Sequence, residues 1–185
     1  WPSYDLSEEQ VARYLARSIL LAARDRVAAY YWYTFYDGQP GSSSLRPHED
    51  YFGLFGWPGD PIEPRRPKPA WFALKALADV FGQARFARDL APALELPNDV
   101  YVLAFLREDG RRLVAAWDGR EKPDIDDEWT DEGGPDTSYD LTLPLPEGVG
   151  AVTVYDQRGA VQDTLTGSAP LSLTLTTSVV YLALD

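Results

Sequence analysis

The run Val27-Ala28-Ala29-Tyr30-Tyr31-Trp32-Tyr33-Thr34-Phe35 constrains this chain more than any other segment. It is rich in aromatic residues and lacks the polar alternation of a half-exposed strand, so it reads as a strand buried on both faces. Helical segments stand on either side of it. One strand between two helices leaves backbone donors and acceptors along both of its edges without partners. Residues 1–90 are therefore expected to need neighbouring strands that they do not themselves contain.

The flanking signals are local and specific. Ser7, followed by Glu8, Glu9 and Gln10, forms a capping-box pattern, with Ser7 as N-cap and Gln10 at the third helical position. A helix from about Ser7 to Arg24 follows, with Val11, Tyr14, Leu15, Ile19 and Ala22 at helical spacing. After the strand, Asp37-Gly38-Gln39-Pro40-Gly41 opens a long loop interrupted by the aromatic cluster Tyr51 to Trp57. Pro69 fits the first turn of a second helix, Ala70 to Phe81, closed by Gly82 as C-cap.

The second half follows a different rule. Val100 to Arg107 and Arg111 to Trp117 flank Glu108-Asp109-Gly110, a hairpin signal. Tyr139 to Leu145, Ala151 to Tyr155, Ala160 to Thr166, Leu171 to Thr176 and Val179 to Leu184 are further strand-length runs between Pro, Gly and Asp turns. Seven short strands in this span read as an antiparallel β-sandwich. Ala91-Pro92 to Pro97-Asn98-Asp99 separates a first unit, residues 1–90, from a second, residues 98–185.

Charge divides along the same line. The chain carries 17 Lys and Arg against 29 Asp and Glu, for a net charge of −12. The first 90 residues balance 11 acids with 11 bases, so the whole excess lies in the second half, which reads as an acidic, solubilising appendage. Such a balance argues against nucleic acid as a partner, since phosphate affinity rests on clustered Lys and Arg. With no Cys, disulfides, thiolate metal sites and Cys nucleophiles are excluded. No apolar run approaches the roughly 18 residues that span a bilayer, so no membrane partner is expected. The absence of Met from a chain beginning Trp1-Pro2-Ser3 is read as the mark of a piece of a longer protein.

The ordered motifs of the first half resemble the end of a clan A glycoside hydrolase barrel. Tyr33-Thr34-Phe35-Tyr36-Asp37 is similar to the last barrel strand of family 39, Trp-Thr-Phe-Ser-Asp. Asp50-Tyr51-Phe52-Gly53-Leu54-Phe55 resembles the segment after it, and Lys68-Pro69-Ala70-Trp71-Phe72-Ala73 the Lys-Pro-x-aromatic-x-Ala start of the final helix. Trp1-Pro2-Ser3 with its capped helix is similar to the stretch directly after the nucleophile motif Glu-x-Gly-Trp. The resemblance implies an α/β unit followed by an all-β one: helix 7, strand 8 and helix 8 of a (β/α)8 TIM barrel, then the β-sandwich.

It also implies a retaining glycosidase, in which two carboxyl groups about 5 Å apart serve as acid/base and nucleophile. Both implied glutamates precede Trp1, so no catalytic residue, metal or cofactor is assigned to this chain, and the upstream barrel residues are required as partners. Barrel active sites lie at the C-terminal ends of the strands. A carbohydrate substrate would then meet Trp32, Tyr33, Phe35 and Asp37: aromatic rings match the C–H faces of sugars, and carboxylates accept their hydroxyl protons. Tyr33 and Asp37 are the favoured pair, matching the family's Trp and Asp. Trp32 and Tyr33 cannot both point inward on one strand. Trp57, in Gly56-Trp57-Pro58-Gly59, either walls the cleft or clamps its own loop.

Two other features read as structural. His48, the only His, lies in a Pro-flanked polar loop without a second His. Asp124-Ile125-Asp126-Asp127-Glu128 is acidic but lacks the spacing and Gly of a calcium loop, so it reads as a solvated insertion. The competing function is a non-catalytic carbohydrate-binding or structural β-sandwich module, with the first half as connector. A binding face of that kind needs a row of exposed aromatics.

Overall fold

The computed structural model describes residues 7–41, 50–120, 137–167 and 169–185. The Trp1-Pro2-Ser3 opening, His48 and the acidic run 124–128 lie outside the described residues.

Helix α1 (Glu8–Arg24) begins as its sequence predicts: the Ser7 hydroxyl accepts from the Gln10 N–H, and the Gln10 side chain accepts from the Ser7 N–H. Helix α2 (Pro69–Phe81) starts on its proline and stops at Gly82, whose φ of 51° favours a residue without Cβ. The two helices pack together through small residues, Ala12 and Ala16 on α1 and Ala70, Ala73 and Ala76 on α2. Small side chains let the helix axes approach closely.

Eight strands follow: β1 (Arg85–Asp89), β2 (Val100–Leu106), β3 (Arg112–Asp118), β4 (Tyr139–Leu143), β5 (Ala151–Tyr155), β6 (Val161–Thr166), β7 (Leu171–Leu175) and β8 (Val180–Leu184). Six form one antiparallel sheet in the order β1-β2-β3-β8-β5-β6, and β4 pairs with β7 in a second. Strand β1 is not among the runs that the sequence predicts, because three of its five residues are charged.

Period-two alternation sends each central strand to two cores. Leu103, Phe105, Leu113, Ala115, Trp117 and Tyr181 face one way and join the buried residues of both helices. Val100, Val102, Val114, Ala116 and Leu182 face the other way, against Leu141, Leu143, Leu171 and Leu175 of the small sheet. The result is three layers: helices, six-stranded sheet, two-stranded sheet. This corrects the reading of the acidic half as an appendage. Its sheet is the platform on which the helices rest, which is why β2, β3 and β8 are apolar at nearly every position rather than every second one.

Polar ties reinforce that seam. Arg13 Nη1 donates to Thr177 Oγ1 at 2.7 Å, and Arg17 Nη2 donates to the Thr177 carbonyl. Arg158, in the turn after β5, pairs with Glu9 on α1. Within the platform, Tyr101 and Trp117 are directly opposite on β2 and β3, and their rings stack at 4.7 Å.

The aromatic run 27–35 departs from its expected form. It forms no regular element, with bends at Ala28, Tyr33 and Phe35, and among the described residues it joins no ladder; a single parallel bridge links Tyr36 to Phe55. Nor is it buried on both faces: Tyr31 is 89% exposed and Tyr33 69%. No described strand lies alongside to cover them. Alternation survives even so, with Trp32, Thr34 and Tyr36 half-buried between exposed Tyr31, Tyr33 and Phe35.

Tyr181 supplies a test of this packing. Its ring meets Phe81 edge-on at 5.3 Å, and its fully buried hydroxyl has no hydrogen-bond partner among the described residues. Burial pushes its pKa well above the usual tyrosine value. Leaving such a hydroxyl unpaired costs about 1–3 kcal/mol. Tyr181→Phe should therefore raise stability by about 1 kcal/mol in urea denaturation, with a higher Tm. A destabilised variant would mean that the hydroxyl is satisfied in solution.

Candidate functional site

The chain after the aromatic run is held in place by the loop that follows it. Leu54 N–H donates to the carbonyls of Thr34 (3.3 Å) and Phe35 (3.1 Å), and Phe55 N–H donates to that of Phe35 (3.1 Å). Asp37 N–H returns a bond to the Phe55 carbonyl at 2.8 Å. On the other side of this loop, Lys68 N–H donates to the Leu54 carbonyl and Gly56 N–H to that of Arg66. Residues 52–56 thus run between the segment 34–37 and the approach to α2.

Gly53 makes that closeness feasible. A Cβ there would lie 2.2 Å from the Asp37 nitrogen and 2.6 Å from the Phe55 oxygen, both backbone atoms with no room to move.

An ion pair lies at the centre. Lys68, only 2% exposed, donates from Nζ to both oxygens of Asp37 at 3.0 Å and to the Tyr51 carbonyl at 2.7 Å. Asp37, 11% exposed, also accepts the Gly53 N–H on Oδ1 at 2.7 Å. Of the roughly four acceptor positions of a carboxylate, three are occupied by described residues, two on Oδ1 and one on Oδ2. Glu8 of α1 stands 3.8 Å from Lys68 and is gripped by both Arg66 amino nitrogens. Lys68 thereby ties the Asp37 segment, the 51–55 loop and the start of α2 to one point.

Burial pushes the Asp37 carboxyl above its usual value of 3.8, against the downward pull of Lys68 and the Gly53 N–H. Folding therefore favours its protonated form. Its contribution to stability is complete below pH 3.8 and declines as the pH rises through the raised value.

The residues expected to line a sugar site take several positions. Trp32 is half-buried and donates from Nε1 to the Phe52 carbonyl at 3.0 Å. Tyr33 points outward, and the Tyr33–Thr34 peptide is cis. Phe35 is 52% exposed yet packs on Phe55 at 5.1 Å, which in turn meets Trp71 of α2 at 4.9 Å. Trp57 folds over its own turn: a Cβ on Gly59 would lie 2.5 Å from the indole ring. Among the described residues no ring contact joins Trp57 to the segment 32–37, and within that segment exposed Tyr33 and Phe35 alternate with half-buried Trp32 while Asp37 is engaged by Lys68. Lys68 is the residue that sequence reasoning missed. Its signal was the Lys before Pro69, which reads as a helix flank until Asp37 is seen beside it.

Among the described residues, no group of three or more His, Cys, Asp or Glu side chains could hold a metal ion, and no helix is long and apolar enough to cross a membrane.

The pair can be tested by removing its cation. Lys68→Met leaves the Asp37 carboxylate buried and alone, a change that typically costs about 3–5 kcal/mol at neutral pH. The penalty should shrink on acidification, because Asp37 can then protonate, and Asp37→Asn with Lys68→Met should be milder than the sum of the single changes. Urea denaturation at pH 7 and pH 5 measures both. An equal loss at the two values would show that Lys68 acts only by packing.

No protein-family model and no curated protein sequence matches the chain. Solved structures do. The catalytic domain of family GH30 xylanase C from Talaromyces cellulolyticus is 18% identical with a TM-score of 0.42, over 72% of this chain and 27% of that one. A family 39 glycoside hydrolase from the gut symbiont Bacteroides cellulosilyticus WH2 is 22% identical with a TM-score of 0.70, over 100% of this chain. The chain spans 32% of the length of that enzyme chain. It therefore shares the fold of about a third of that family 39 glycoside hydrolase chain.

Proposed function

We propose that this chain is the last part of a retaining glycoside hydrolase and helps to line its active site. In this reading α1 is barrel helix 7, the segment 30–37 is strand 8, and α2 is helix 8. The two catalytic glutamates lie upstream of Trp1, about 5 Å apart, one protonating the leaving oxygen and the other attacking the anomeric carbon.

The unpartnered aromatic segment carries the reading. Among the described residues, the backbone of 28–33 makes no backbone hydrogen bond, while from Tyr31 to Tyr36 exposed and half-buried side chains alternate as those of a strand do. An unpaired edge of this kind calls for a neighbouring strand. With barrel strands on either side, the exposed series Tyr31, Tyr33, Phe35 would face the barrel interior, and the half-buried series Trp32, Thr34, Tyr36 the surrounding helices. The shared fold with a family 39 enzyme supports the same arrangement.

Each residue then has a task. Tyr33 offers its ring to the C–H face of a sugar, and Asp37, held by Lys68, accepts a hydrogen bond from one hydroxyl on the Oδ2 position that the described residues leave open. Trp32 and Phe35 shape the wall, and Trp57 keeps the following loop in place at its rim. The binding-module reading finds less support. No described aromatic side chain in residues 98–185 is exposed, so no sugar-stacking row is on offer there.

The test uses the protein extended upstream to a complete barrel. It should hydrolyse an aryl glycoside, whereas residues 1–185 alone should not. Tyr33→Ala in the extended protein should lower kcat/KM by roughly 10 to 1000 fold, or about 1.4–4 kcal/mol of transition-state stabilisation, with kcat sharing the loss. An extended protein that cleaves no glycoside, or a Tyr33→Ala variant of unchanged kcat/KM, would overturn the proposal. Tm is followed in parallel, so that unfolding is not mistaken for lost catalysis.

A further inference from the structure

The small sheet covers only part of the platform, and at the β1–β2 end the two sheets leave a cleft of about 410 Å3. That size lies within the roughly 300–1,000 Å3 of ligand pockets. Ala104, Leu106 and Val114 form its floor, and Leu94, Leu143 and Pro144 its walls. The lining is apolar apart from two cations, Arg88 and Arg112.

Both arginines are aimed there by strand geometry. In β1, Phe86 is opposite Phe105 but Arg88 is opposite Ala104, so Ala87 is an extra, bulged residue. Without the bulge, Arg88 would stand opposite Leu103, whose side chain belongs to the helix-facing core. The bulge transfers the cation to the cleft face. Arg112 reaches the same face from the other side of β2, opposite Leu106 and Leu184. With one strand between them and an offset of two residues along it, their backbones are roughly 12 Å apart, which two arginine side chains can bridge.

Among the described residues neither cation has a counter-charge. Neighbouring Arg85, Arg107 and Arg111 each have a carboxylate, on Glu108, Asp109 and Asp185. Arg88 and Arg112 have no acidic partner among the described residues, in a chain whose net charge is −12. Two guanidinium groups without a described acidic partner, beside an apolar groove, complement an anion that carries an apolar body.

We propose that this cleft binds an amphipathic carboxylate, with its apolar portion between the sheets and its carboxylate held by Arg88 and Arg112. This is a second site, on the face of the platform opposite the helices, and it stands whether or not the glycosidase reading does.

Octanoate titrated into the full chain, followed by amide chemical shifts, tests it. Saturable shifts are expected at Ala104, Leu106 and Val114, and Arg88→Gln and Arg112→Gln should each weaken binding about tenfold. Octan-1-ol, equally apolar but uncharged, should bind about tenfold more weakly than octanoate. Both arginines are exposed, so the variants should keep the wild-type Tm. The proposal fails if octanoate shifts the exposed aromatic segment 31–35 instead of the cleft, if the variants bind it undiminished, or if octan-1-ol binds as well.

Discussion

Leu103, Phe105, Leu113, Ala115, Trp117 and Tyr181 make one face of the central strands β2, β3 and β8 apolar, and Val100, Val102, Val114, Ala116 and Leu182 do the same for the other face. A sheet of that composition needs a cover on both sides. The small sheet β4–β7 covers one side in part, and α1 and α2 cover the other. The placing of everything else depends on this. The helices are held where the sheet needs them, and the loop that precedes α2 is anchored where α2 begins.

The candidate site inherits that position. Lys68 is buried at the start of α2, and a buried ammonium requires a counter-charge and further acceptors. Asp37 and the Tyr51 carbonyl meet that need, so desolvation of one cation organises two loops that have no regular structure of their own. Gly53 permits the approach, and Glu8 with Arg66 extends the network to α1. Asp37 is consequently more a fastening than a free ligand, with Tyr33 the more available of the two residues favoured from sequence.

How much of this could be read beforehand depends on the range of the interaction. Ser7 with Gln10, Pro69 and Gly82 act within one helical turn, and both helices are where those residues put them. Strands β2 to β8 lie within the predicted runs or a residue beyond them, because Gly and Pro turns act over a few positions. Strand β1 was hidden, since Arg85, Arg88 and Asp89 resemble a linker until they are seen as a bulged sheet edge. The three-layer order was hidden too, because nothing local to Leu113 or Trp117 says that helices from the far end of the chain will cover them. The burial of Lys68 was hidden for the same reason: its partner is 31 positions away.

Helix α2 has a role beyond covering the sheet. At its start, Lys68 grips the Asp37 segment, and at its end Phe81 is wedged against Phe105 and Tyr181 in the platform. Thirteen residues at 1.5 Å each make a rod about 20 Å long with a firm hold at both ends. Such a rod transmits displacement instead of absorbing it. A change of volume at Phe105 or Tyr181 would therefore bear on the far end of the rod, about 20 Å from the Lys68 that spaces the loops around Asp37.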